Sequence, residues 1–142
     1  MIRGISCKIP NEYGNIFTLI FKEINMSKYF WIPVDNEIFI SNKDITIFDK
    51  VYITGKEFSN FIKTENDYFP YLFSIQGSKN KGFDVVYTYD EYKKSPVEII
   101  IMITDSEWLD IYSKDIDIIK TIEKNLINNK NFYDIELITD EN

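Results

Sequence analysis

Five carboxylates fall within residues 105–117: Asp105, Glu107, Asp110, Asp115 and Asp117. Carboxylates at this density have three uses. They can ligate a hard cation such as Mg²⁺ or Ca²⁺ through oxygen. They can act as general acid or base once burial shifts their pKa. They can also present a negative field to a basic partner. The spacing does not match the calcium-loop pattern, and glycine is missing where that loop's sharp turn requires it. No metal or cofactor site is therefore expected. A plainer reading assigns Asp105 and Glu107 to a turn, Asp110 to a solvated strand face, and Asp115 and Asp117 to a helix start. Of the functional uses, a partner-binding surface is favoured, with these five as its candidate residues.

Other groups with chemical potential are weaker. Gly77 to Gly82 is a small basic loop flanked by glycines, but Phe83 and Asp84 follow the second glycine where a phosphate-binding loop needs Lys and Ser or Thr. Ser78 and Lys81 have the spacing of a serine–lysine nucleophile pair, which requires one helix face beside a pocket; a glycine-bounded polar loop predicts an exposed turn instead. Aromatic residues cluster at Tyr29, Phe30 and Trp31, at Tyr68, Phe69 and Tyr71, and at Tyr87, Tyr89 and Tyr92. Sheet and core packing explains most of these, and a protein- or ligand-binding patch is the functional alternative, since Tyr and Trp dominate interface hot spots. The lone cysteine, Cys7, reads as a small buried hydrophobe. The lone arginine, Arg3, stands in a chain whose other cations are lysines, which hints at a specific ion pair, although a surface charge near a terminus is the simpler reading.

Composition removes whole classes of function. The chain of 142 residues contains no His and one Cys, so Ser-His-Asp and Cys-His catalysis, Cys/His zinc sites and internal disulfides cannot be built from it. Its net charge is -7 with 16 Lys+Arg against 23 Asp+Glu, the opposite of a nucleic-acid footprint. The surplus is uneven: residues 1–71 carry 8 basic and 9 acidic residues, while residues 72–142 carry 8 and 14. The longest apolar run, Ile99 to Ile103, is far short of the roughly 20 residues that span a bilayer. The N-terminus has no long apolar stretch of the signal-peptide type. Neither a nucleic acid nor a membrane is expected as partner, and a cytoplasmic location is the default. Heavy use of Ile, Lys, Asn, Tyr and Phe without any Ala is the signature of AT-rich codons, so part of the missing histidine reflects nucleotide bias.

These residues must be positioned by secondary structure. Ile2, Ile5 and Ile9 predict a first strand ended by Pro10. Ile16, Leu19, Ile20 and Ile24 recur at helical spacing, predicting a helix over about 11–25 capped by Asn11 and weakened by Gly14. Tyr29 to Val34 and Glu37 to Ser41 predict a hairpin turning at Asp35 and Asn36, with Pro33 marking either an edge strand or an interruption of the strand. Thr54 and Glu57 spell a capping box for a helix over 55–63, and Thr88 and Glu91 a second one for a helix to about Ser95. Tyr68 to Gln76 reads as a strand. Val97 to Thr104 reads as a buried central strand, paired through a turn at Asp105 to Glu107 with Trp108 to Ser113. Asp115 caps a last helix with the stripe Ile119, Ile122 and Leu126, and Phe132 to Ile138 alternates as a final strand. The order permits two similar halves, although their sequences are not alike. The expectation is one α+β domain over residues 1–142, a mostly antiparallel sheet of six or seven strands with helices packed on one face.

Several strings carry a family resemblance: Arg3, Gly4, Ile5 and Ser6; the run Ile9, Pro10, Asn11, Glu12, Tyr13 and Gly14; Trp31 ahead of Asp35, Asn36, Glu37 and Ile38; and Ile138, Thr139, Asp140, Glu141 and Asn142. The chain resembles, over nearly its whole length, a family of small uncharacterised proteins of low-GC Gram-positive bacteria, a domain of unknown function. The resemblance implies a bacterial, single-domain protein and brings no activity, cofactor or catalytic residue. The favoured function is a non-enzymatic, acidic protein-binding module of the immunity-protein or inhibitor type, using the acidic C-terminal half against a basic protein. The alternative is a small-molecule-binding protein or a weak enzyme using Asp, Glu, Tyr and Lys chemistry. A pocket holding converging carboxylates and tyrosines would favour the alternative; an acidic face without one would favour the module.

Overall fold

A computed structural model describes residues 1–41 and 46–140. Among them the chain forms six strands, β1 (Ile2–Lys8), β2 (Phe30–Ile40), β3 (Tyr68–Ser78), β4 (Val97–Thr104), β5 (Trp108–Ser113) and β6 (Tyr133–Thr139), and four α-helices, α1 (Ile16–Ile20), α2 (Gly55–Thr64), α3 (Tyr89–Lys94) and α4 (Ile116–Ile127). The strands join in one antiparallel sheet in the order β2-β3-β4-β5-β1-β6. This is the expected α+β class. No helix of the described residues is long and apolar enough to cross a membrane.

Strand alternation explains the two faces. Cys7, Leu109, Ile103 and Phe73 form one row across β1, β5, β4 and β3, and Ile5, Ile111, Ile101 and Ile75 the next. Every one of them is at most 1% exposed, because α1, α2 and α4 lay their apolar stripes on this face. Trp31, wholly buried, anchors one end of this core: its indole N–H donates to the Met26 carbonyl at 3.0 Å and its ring meets Phe58 edge-on at 4.8 Å. Gly77 lies beneath it, and a Cβ there would come within 2.8 Å of the indole ring.

The helix starts follow their caps. At α2 the Thr54 hydroxyl accepts from Glu57 N–H and the Glu57 carboxylate returns to Thr54 N–H, the full capping box. At α3 only half of the box forms: Thr88 accepts from Glu91 N–H, but the Glu91 carboxylate takes Tyr87 N–H instead. Asp115 caps α4 through Asp117 N–H.

Three expectations are corrected. Asp35 and Asn36 make no hairpin; β2 continues through them against β3, with two register shifts that flank them, between Pro33 and Asp35 and between Glu37 and Ile38. Two polar residues tolerant of turns lose to an eleven-residue partner strand. The strand is nevertheless an edge, as Pro33 allows. With that hairpin gone, the two halves no longer share an element order. The helix expected over 11–25 shrinks to Ile16–Ile20, since the Gly14 backbone is drawn into reciprocal hydrogen bonds with Tyr68, both 3.0 Å. Asn11 caps nothing there; its side chain accepts from the Ser106 hydroxyl at 3.4 Å. Finally, α3 lies on the other face of the sheet from the remaining three helices.

Candidate functional site

That other face is half covered. The segment between β3 and β4 crosses it, seating Phe83, Val86 and Tyr92 on Val97 and Ile100, with Phe30 and Ile32 alongside. A buried amide pins the crossing: the Gln76 side chain donates to Val86 C=O at 2.8 Å and accepts from Val86 N–H at 2.9 Å. Beyond this strap, the β4-β5-β1-β6 half carries no helix on this face among the described residues. Register fixes what it displays. Met102, Asp110, Ser6 and Glu136 form a row across the four strands. Trp108, Lys8 and Tyr133 form the row at one end, and Ile100, Tyr112 and Gly4 the row at the other.

The two cations of this surface lie against its aromatic rings, Lys8 in ion pairs as well and Arg3 with its Nε buried and without a hydrogen-bond partner among the described residues. Lys8 Nζ lies 3.6 Å from Glu107 and 3.7 Å from Asp134 and sits over the Trp108 ring at 4.8 Å. Arg3 is the extra residue where β1 slips register against β6, a bulge that re-aims it. Its guanidinium lies 4.0 Å over the Tyr89 ring and 5.6 Å from the Tyr112 ring. No carboxylate pairs with it among the described residues, so the hinted ion pair is replaced by aromatic stacking. Tyr89 in turn donates to the Asp140 carboxylate at 2.6 Å, which holds that carboxyl below its usual range and raises the phenol's pKa.

Between these ends, Asp110 and Glu136 have no cationic partner among the described residues. Glu136 is exposed and Asp110 half-buried. Burial pushes the Asp110 carboxyl pKa up. The result is a surface of Trp108, Tyr133, Tyr112 and Tyr89 interleaved with Glu107, Asp134, Asp110, Glu136 and Asp140.

The five sequence candidates separate. Asp105 and Ser106 both have positive φ, at 54° and 53°, and Glu107 N–H closes the turn on Thr104 C=O at 3.1 Å. Asp105 and Glu107 thus sit at one end of β5, with Glu107 tied to Lys8. Asp115 and Asp117 sit at its other end as the cap of α4, and Asp110 lies between on the open face. Asp110 and Glu107 join the surface just described; Asp105, Asp115 and Asp117 do not gather with them. Sequence reasoning missed Glu136, Asp134 and Tyr133, which β6 brings in from far along the chain. The alternation Trp108, Asp110, Tyr112 was the one readable signal for this face.

Under the N-terminal end of α3 is a cavity of about 220 Å³, lined chiefly by Val86, Tyr87, Tyr89, Ile100, Met102 and Tyr112. No carboxylate is in its wall among the described residues. Likewise, no three His, Cys, Asp or Glu side chains among the described residues converge on a metal position. Ser78, offered by the serine–lysine spacing, is buried and donates to Pro96 C=O at 2.7 Å, a structural role. Cys7 faces the core, where burial pushes its thiol up to about 12.

The family described as protein of unknown function, DUF2691, matches residues 2–142. The uncharacterized protein YncE of Bacillus subtilis (strain 168) is 30% identical over 147 residues, covering 100% of this chain and 95% of its own length. No solved structure matches. Matched along nearly all of its length by the family and along all of it by YncE, the chain belongs to the DUF2691 family of proteins of unknown function.

Proposed function

We propose that the protein is a non-enzymatic binding module that docks a basic protein on the open half of its sheet. The observation that carries this reading is two carboxylates without a cation among the described residues in the middle row of an aromatic surface: Asp110, half-buried, and Glu136, two strands away across Ser6. A carboxylate that has lost water without gaining a cation is destabilising until a partner supplies one. A Lys or Arg from a docking protein would do so, while Trp108, Tyr133 and Tyr112 supply the broad, rigid contacts typical of hot spots. The net charge of -7 speeds the encounter with such a partner. An immunity-protein or inhibitor mode, in which an acidic face covers the basic surface of a toxin or nuclease, fits these features. A cytoplasmic setting accords with a single free, buried thiol.

Affinity capture from the producing bacterium's lysate tests the reading. At physiological salt the immobilised chain retains a basic protein, and raising the salt releases it. Failure to retain any basic protein at physiological salt removes the proposal's support.

A further inference from the structure

The cavity beneath α3 adjoins the docking surface and shares Tyr89 and Tyr112 with it, and its chemistry is specific. Its wall is aliphatic and aromatic, lined by Val86, Ile100 and Met102 and by Tyr87, Tyr89 and Tyr112. Most polar atoms of that wall are already used. The Gln76 amide is spent on Val86, the Tyr89 hydroxyl on Asp140, and the Thr88 hydroxyl accepts from Glu91 N–H. The hydroxyls of Tyr112 and of the exposed Tyr87 have no hydrogen-bond partner among the described residues. The flanking charges oppose both signs of ligand. Arg3 backs the Tyr89 and Tyr112 rings. Asp110 lies two residues from Tyr112 on the same strand face, and Asp140 holds Tyr89. A cation meets Arg3, and an anion meets the carboxylates.

We propose that this cavity is a second binding site, taking a small uncharged planar ring with one hydrogen-bonding group. The ring lies on Met102 and Ile100 between the tyrosines, in the offset or edge-on contacts that aromatic faces prefer. Its polar group pairs with the Tyr112 hydroxyl. The size agrees: an apolar cavity of about 150 Å³ holds one benzene, so about 220 Å³ suits one ring or two fused ones. It is too small for the drug-sized ligands that occupy roughly 300–1,000 Å³.

Indole, benzoate and benzylamine serve as neutral, anionic and cationic probes, titrated calorimetrically against the full chain. Indole binds about tenfold or more tighter than either charged probe. Tyr112→Phe weakens it by roughly three- to tenfold, and Met102→Trp, which fills the space, abolishes it. Absence of indole binding at millimolar concentration overturns the proposal, as does equal binding of a charged probe, or binding that Met102→Trp leaves intact. If Met102→Trp does not fold, amide chemical-shift changes in the wild-type chain decide. Changes confined to the neighbourhood of Val86, Tyr89, Met102 and Tyr112 support the site, and changes elsewhere overturn it. None of these outcomes depends on a protein partner, so they stand or fall apart from the docking reading.

Discussion

At the scale of single residues, burial decides which reactive groups are available. Cys7 is 1% exposed and its thiol is pushed up to about 12, so almost no thiolate exists near neutral pH. Ellman's reagent at pH 8 is expected to leave Cys7 unmodified in the folded chain and to label it stoichiometrically in denaturant; rapid native labelling would contradict its placement. Asp110 behaves oppositely to a salt-bridged acid. Its folded pKa is raised by burial, so the folded state holds the proton more tightly, and stability declines as pH rises from the unfolded aspartate value through the folded one. Asp110→Asn is therefore expected to raise the melting temperature at pH 7 by roughly 1–3 °C, with the gain vanishing in acid below the ordinary aspartate range. Melting curves of both proteins across pH check this, and a destabilised Asn variant at pH 7 would show that the carboxylate has a cation after all. Asp110 was legible in the sequence as a strand-face carboxylate. Its loss of water was not, because that comes from the flanking strands β1 and β4 rather than from its own segment.

At the scale of elements, local signals succeeded where they were self-contained. The capping box of Thr54 and Glu57 sets the start of α2 within a few residues, so the sequence alone announced it. Thr54→Ala should cost about 1 kcal/mol in denaturant unfolding, while Thr88→Ala, which breaks only half a box on the exposed α3, should cost less. The edge position of β2 was legible in Pro33. The hairpin at Asp35 and Asn36 and the long first helix failed for one reason: the decisive partner was distant. β3 pairs with all of β2, and Tyr68 captures the Gly14 backbone, interactions across tens of residues that no local window contains. Close approach under Trp31 is equally invisible locally. Gly77→Ala, which drives a Cβ to 2.8 Å from the indole ring and 2.9 Å from Ile99, should destabilise the chain by about 1–3 kcal/mol. An unchanged unfolding midpoint would mean that the ring moves aside freely.

At the scale of the whole molecule, one sheet is used twice. Its first face is sealed by three helices into the core, and its second is divided between a strap and an open surface. The strap is held by the Gln76 amide, by the packing of Phe83, Val86 and Tyr92, by the Tyr92 hydroxyl donating to Glu98 C=O and by the Tyr89 hydroxyl on Asp140. The acidity of the second half, legible from composition, is redistributed by this architecture: Asp115 and Asp117 become a helix cap, while β6 brings Asp134 and Glu136 to the same open face as Asp110, across β1. The central claim is that this open half-face, and not the acidic run as a whole, docks a basic protein. The most direct measurement compares capture from lysate at physiological salt by three chains: wild type, Trp108→Ala with Glu136→Lys, and Asp115→Asn with Asp117→Asn, all first shown to be folded by circular dichroism. The same basic protein should be retained by the wild type and by the Asp115/Asp117 variant and lost, by about tenfold or more, from the Trp108/Glu136 variant. Equal retention by all three chains, or loss from the Asp115/Asp117 variant instead, would contradict it.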